Sequence, residues 1–283
     1  MLNPRLDRWL RSVAAAAGAL IAAAPALAAE KPDSVTLSAA VAPEPVAATA
    51  TVSLVERLKR DPYTLARLSR ERYDRDVREY SCVLLKQERI DGTLKDVEEI
   101  AVRFRRTPTT VYMNWLRNED QVRRCLFVDS PEFVDRKGRP FALVEPAGLL
   151  IRLIVSQVEI PIHDEMARRA SRRTIDEFGF GATLDLLDKY NTIATERGVL
   201  EMHFAGDGVV DGRPTYVIER YLPYTGAQGA YPDAKLVIHF DKEWLLPVLV
   251  KSYADREGRE LLGSYEFTKV RLNPGFTPAD FKF

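Results

Sequence analysis

Hydrophobic alternation with a period of two, punctuated by turn dipeptides, is the feature that most restricts this chain. It begins at Tyr80 and runs to Ile90, where Asp91-Gly92 supplies a hairpin turn. Glu99–Arg105 sets Ile100, Val102 and Phe104 against Ala101, Arg103 and Arg105, and Pro108 ends the run. Val111–Leu116 and Val122–Val128 continue it. A second series comprises Leu200–Ala205, Pro214–Leu222 after Asp211-Gly212, Lys235–Asp241, Pro247–Ala254, and Leu261–Val270 after Glu257-Gly258. Strands with one apolar and one polar face, joined by tight turns, pair antiparallel.

Helical periodicity lies before and between the two series. Across residues 53–79, Ser53 caps a first turn carrying Leu54, Val55 and Leu58. Asp61-Pro62 then opens a second helix with a ragged apolar stripe of Leu65, Leu68, Tyr73 and Val77. Glu145–Gln157 and His163–Arg173 read as helical or irregular. Thr183–Thr195 reads as a helix capped by Thr183, with Leu184, Leu187 and Tyr190 on its apolar side. The order is helix, four strands, helices, then four or more strands. Nothing in it alternates strand and helix as a parallel sheet requires. The expected class is therefore α+β, one antiparallel sheet with helices on one side.

Residues 1–29 have the three parts of a cleavable signal peptide: Arg5, Arg8 and Arg11, then the apolar Val13–Leu27, then Ala26-Leu27-Ala28. The apolar run is shorter than the ~20 residues a membrane span needs. No cysteine follows it closely, the first being Cys82, so a lipid anchor is not expected. Residues 30–52, rich in Ala, Pro, Val and Thr, read as a flexible linker. Residues 53–283 are expected to form one domain in the periplasm or outside the cell. No later apolar stretch reaches membrane length. Balanced charge, 41 basic against 41 acidic residues, gives no global field toward nucleic acid.

Export makes the pairing of Cys82 and Cys125 an open question. In a flat meander they stand on the first and fourth strands, ~14 Å apart, too far to bridge. A strongly curled sheet would shorten that distance, so both outcomes remain open.

Motifs that carry chemistry are scarce. His163, His203 and His239 lie far apart in sequence, and neither His-x-x-x-His nor Cys-x-x-Cys occurs. His163-Asp164-Glu165 reads as a solvated cap cluster, and His203 and His239 as structural side chains. Gly263-Ser264-Tyr265 lacks the second glycine of a nucleophile elbow. Phe178-Gly179-Phe180-Gly181 lacks the remainder of a phosphate-loop signature and reads as a tight turn delivering the following helix. No catalytic residue, metal or cofactor is assigned. What stands out is apolar: Val102, Phe104, Tyr112, Trp115, Phe127, Phe204, Ile218, Ile238, Phe240 and Tyr265 could line a concave sheet face, or fill an ordinary core. Arg103 and Arg105 read first as a solvated strand face, and otherwise as candidates for contacts at the rim of such a concavity.

Several segments together resemble a family. They are Tyr80-Ser81-Cys82 through Lys86–Gly92, Pro108 with Val111-Tyr112 and Trp115-Leu116, and Ile175, Glu177, Gly179 and Gly181. Asp241-Lys242-Glu243 with Leu246-Pro247-Val248 adds to the set. So do Tyr265-Glu266-Phe267, Leu272–Phe276 and Asp280-Phe281. In this order they resemble the bacterial exported domain-of-unknown-function family 1571, from about Leu65 to the end of the chain. Residues 129–158 depart from its pattern. The family looks related to the periplasmic lipoprotein-carrier, LolA-like superfamily. That resemblance implies a strongly curved antiparallel sheet, an incomplete barrel, with helices covering its concave side and an apolar ligand held there. The function it implies is a non-enzymatic carrier of a lipid, acyl chain or lipoprotein segment. The alternatives are an envelope protein-interaction domain with a filled core and an envelope hydrolase built from distant residues.

Overall fold

The computed structural model describes residues 53–119, 121–148, 156–226 and 229–283. The signal peptide, the linker and residues 149–155 of the apolar middle run lie outside the described residues. Helix α1 (Leu54–Arg60) starts at Ser53, whose hydroxyl accepts the amide of Glu56 at 3.3 Å. Helix α2 (Thr64–Asp76) begins two residues beyond Pro62. The Asp61 carboxylate still organises its start, accepting the amide of Tyr63 and the hydroxyl of Thr64.

The sheet has twelve strands: β1 (Glu79–Ile90), β2 (Thr93–Leu94), β3 (Glu98–Arg106), β4 (Thr109–Arg117), β5 (Val122–Val128), β6 (Phe141–Pro146), β7 (Val158–Pro161), β8 (Glu201–Val210), β9 (Arg213–Tyr221), β10 (Lys235–Asp241), β11 (Pro247–Tyr253) and β12 (Leu261–Leu272). Among the described residues the strand pairs are antiparallel, in the order β7-β6-β5-β4-β3-β1-β12-β11-β10-β9-β8, with β2 paired to β1 alone. β7 and β8 are its two edges, so the sheet is open. Two meanders meet where β1 pairs with β12. The expected α+β class with one antiparallel sheet holds. The middle adds two strands that the sequence did not suggest, β6 and β7; of the segments read as helical or irregular, Glu145 and Pro146 end β6, and among the described residues Glu165–Ala170 (α3) forms a short helix.

The register shows how the inward face is built. Cys82, Val102, Met113, Cys125, Val144 and Val158 form one row across β1, β3, β4, β5, β6 and β7. Along that row Cys82 and Cys125 stand three strand spacings apart, about 14 Å. Both are free and buried. Curvature bends the row without removing the two strands between them, so the disulfide does not form. Burial pushes both thiols up, that of Cys125 to about 12.

The opposite face is covered over β4–β6 by the C-terminal segment. Tyr112, Leu126, Phe141 and Leu143 pack there against Phe133 and Phe281, with Phe276 and Phe283 alongside. Tyr112, expected in the concavity, therefore lies on the convex side, because it alternates with the inward Val111 and Met113. Arg103 and Arg105 also face this segment. Arg103 donates to the carbonyl of Asp280 and Arg105 to that of Phe276, and Arg105 pairs with Glu79 at 3.2 Å. Neither stands at a ligand rim.

On the concave side, helix α4 (Phe180–Glu196) starts one turn earlier than expected. Phe180 lies 4.5 Å from Tyr80 and 4.8 Å from Phe267 between ring centroids, and Tyr80 stacks on Phe104. Gly179 has φ +107°, and a Cβ there would stand 2.5 Å from the Tyr80 hydroxyl. The Gly-x-Gly turn thus delivers the helix onto the sheet, as the sequence suggested.

Phe281 is fully buried in the C-terminal strap. Phe281→Ala should cost about 3–5 kcal/mol and leave the tail loose. A urea titration measures the first effect. Faster amide exchange at residues 276–283 measures the second.

Candidate functional site

Side chains from nearly the whole sheet converge on one cavity of about 1380 Å³. Its walls include Val158 and Ile160 of β7 together with Arg220 of β9 and Ile238 of β10. β7 and β9 are nine steps apart in the strand order, about 43 Å if the sheet were flat. A single cavity touching both requires a sheet rolled strongly on itself. This is the physical content of the expected incomplete barrel. The roof is made by α3 (Met166, Ala167, Ala170), the turn with Ile175 and Phe178, and α4 (Leu186, Leu187, Tyr190).

The concavity is filled at one end and open at the other. On β1, Tyr80 and Cys82 are buried in the core while Leu84, Lys86 and Glu88 reach the cavity. Ile100 on β3 and Met113 on β4 likewise line it, whereas Val102, Phe104 and Val111 are packed under α2 and α4. Of the ten apolar candidates, Trp115, Ile238 and Tyr265 stand on the cavity wall. Val102, Phe104, Phe127, Ile218 and Phe240 belong to the filled core, with Phe204 packed against it. Tyr112 is on the other face.

Sequence reading missed the polar patch in this wall. Inward residues on β1 alternate, so Lys86 and Glu88 follow Cys82 and Leu84 onto the concave face. Lys86 Nζ lies 2.7 Å from Glu98 and 3.5 Å from Glu88. Glu88, only 3% exposed, also accepts the Tyr265 hydroxyl at 2.6 Å, the Ser171 hydroxyl at 3.0 Å and the Arg172 amide at 3.3 Å. Trp115 Nε1 donates to Glu98 at 2.7 Å. Floor and roof are thus joined by hydrogen bonds through Glu88. Burial works to lower the Lys86 pKa, but the carboxylates of Glu88 and Glu98 outweigh it and hold the ammonium above its ordinary range. Burial, reinforced by Glu88, pushes the Tyr265 phenol well up. The alternation Cys82-Leu84-Lys86-Glu88 was the available signal: residues two apart share a face.

A second polar group sits at the far wall. Arg220, 2% exposed, pairs with Asp233 at 2.9 and 3.0 Å and donates to Asn191 at 3.2 Å. Among the described residues no group of three His, Cys, Asp or Glu side chains could hold a metal ion, and no helix is long and apolar enough to cross a membrane. His203 is exposed beside Glu201, His239 bonds Thr215, and His163 lies 3.5 Å from Asp176. The Asp241-Lys242-Glu243 segment is a structural corner: Arg213 bonds both Asp241 and Glu243 and lies 3.6 Å over the Trp244 ring.

Comparison with known proteins gives one family match, described as protein of unknown function (DUF1571), over residues 77–283. A comparison with curated proteins finds no match. Solved structures show distant similarity. The MucA/MucB complex of Pseudomonas aeruginosa matches at 14% identity and a TM-score of 0.43, covering 78% of this chain and 61% of that one. This chain therefore spans less than two thirds of that relative. The lipoprotein LppX of Mycobacterium tuberculosis matches at 12% identity and 0.39, covering 77% of this chain and 99% of its own. A LolA superfamily protein of Nitrosomonas europaea matches at 8% and 0.24, covering 77% and 97%.

Raised values for Lys86 and Tyr265 stabilise the fold fully below the unfolded values of about 10 and lose that contribution as pH rises through them. The urea midpoint should accordingly fall between pH 9 and pH 11 (about 10 being the unfolded Tyr and Lys range). Lys86→Met, which removes the cation shared by the buried Glu88 and the part-buried Glu98, should cost about 3 kcal/mol at neutral pH. A midpoint independent of pH in the native protein would refute the charge assignment.

Proposed function

The chain belongs to this DUF1571 family, and we propose that it is an exported, non-enzymatic carrier or binding module for an amphiphile, a lipid, acyl chain or lipoprotein segment. The observation that carries the reading is the cavity itself. At about 1380 Å³ it exceeds the ~300–1,000 Å³ of ordinary small-molecule sites. Its floor is largely aliphatic: Leu84, Ile100, Met113, Val144, Ile160 and Ile238. A linear apolar chain would remove this surface from water. Ten methylenes are worth about 8 kcal/mol before the costs of association. The buried charges of the wall, Lys86 with Glu88 and Glu98 and Arg220 with Asp233, are tied up with one another, which suits holding a chain more than transforming it. The signal-like N-terminus would place the protein where lipids and lipoproteins are moved between membranes.

Native mass spectrometry of protein taken from its own envelope should show a co-purifying amphiphile, and a fluorescent acyl probe should bind in its place. Ile160→Trp puts an indole into the cavity from an edge strand, where the fold can absorb it. It should weaken the probe about tenfold or more, equal to about 1.4 kcal/mol. Absence of both a co-purifying amphiphile and probe binding would sink the proposal.

A further inference from the structure

Two adjacent arginines at the cavity roof stand apart from five other buried or half-buried cations. Lys86, Arg105, Arg124, Arg213 and Arg220 each face a carboxylate. Arg172 and Arg173, which follow α3 and line the cavity, are also half-buried. Yet neither side chain has an ion-pair or hydrogen-bond partner among the described residues. Their place is fixed by the backbone: the Arg172 amide bonds Glu88, and the preceding Ser171 hydroxyl bonds it too. Both guanidinium groups act electrostatically on the Tyr265 hydroxyl, which lies on the same carboxylate. They therefore sit at the boundary between the polar patch and the aliphatic floor.

Partly desolvated cations without partners are costly in a free protein. The cost is recovered when an anion arrives. Two neighbouring guanidinium forks match the several unshared oxygens of a phosphate better than a single carboxylate, which one fork already satisfies. We propose that Arg172 and Arg173 form the head-group site for a phosphate-bearing amphiphile, its apolar chains lying on the floor below. This rests on the carrier reading and narrows it from any amphiphile to one with an anionic phosphate. It also assigns the positioning role that Arg103 and Arg105 do not have.

Two soluble lipids with the same short chains separate the contributions. Dihexanoyl phosphatidylglycerol and dihexanoylglycerol, each below its micelle concentration, compete with a bound fluorescent acyl probe. The phosphatidylglycerol should displace the probe at about a tenfold lower concentration. In R172Q/R173Q this preference should fall to about twofold or less, with dihexanoylglycerol competing as before and the melting temperature preserved. Inorganic phosphate, followed by calorimetry, should bind far more weakly than the lipid. Equal competition by the two lipids in the native protein, or a preference that survives the double substitution, would overturn the head-group site while leaving the carrier reading intact. Inorganic phosphate binding as tightly as the lipid would reassign the pair to a free anion and likewise overturn it. Failure of both lipids to displace the probe would count against the carrier reading itself.

Discussion

Everything in this molecule depends on the pairing of its first long strand with its last. β1 and β12 run antiparallel for most of their length, with Leu84 opposite Phe267 and Lys86 opposite Tyr265. Residues some 185 apart in sequence meet there, as in the bond from the Thr268 hydroxyl to the Val83 carbonyl. Closing so long a loop costs about 5 kcal/mol in chain entropy beyond a constant. The pairing joins two local meanders into one sheet long enough to roll. Without it β7 and β9 could not face each other across a common cavity, and neither half would have a wall to close against.

Rolling the sheet creates more concave surface than the helices can cover. α2 and the start of α4 fill one end with aromatic rings, and Gly179 and Gly181 allow the close approach. Toward the other end the roof thins to α3, none of whose side chains is buried, and the floor is left open. The wall there carries charges that satisfy one another. Glu88 binds β1 to β12 through Tyr265 and to the roof through Ser171 and Arg172. An aliphatic floor beside a mutually neutralised polar patch is the surface on which the proposed carrier function rests. Arg172 and Arg173 are half-buried beside that patch without such a partner among the described residues.

The convex side shows how the same strands serve two cores. On β4, Val111 and Met113 face inward while Tyr112 faces the strap formed by Phe276, Phe281 and Phe283. Arg103, Arg105 and Arg124 line this strap, their guanidinium groups lying over Tyr112, Phe281 and Phe283. Residues that look like a solvated strand face are therefore half-covered, and their charge is used to fasten the chain end.

The residues by themselves determined the class, the strand positions other than β2, β6 and β7, the turns at Asp91-Gly92 and Asp211-Gly212, and the role of the Gly179 turn. Each of these follows from neighbours within a few positions, where periodicity and backbone preference act directly. Of the ten apolar candidates for a cavity lining, Tyr112 lies on the convex face, because β4 is buried on both faces and alternation there carries no polarity. Which of them line space and which fill it was decided only by the tertiary structure. That choice depends on how far the sheet rolls and how much the helices cover, and both are sums over long-range contacts. The fate of Cys82 and Cys125 was decided in the same way: the register sets two strands between them. Lys86 and Glu88 could have been found from their parity with Leu84. Their partners Glu98, Tyr265 and Ser171 could not, since only folding brings those segments together.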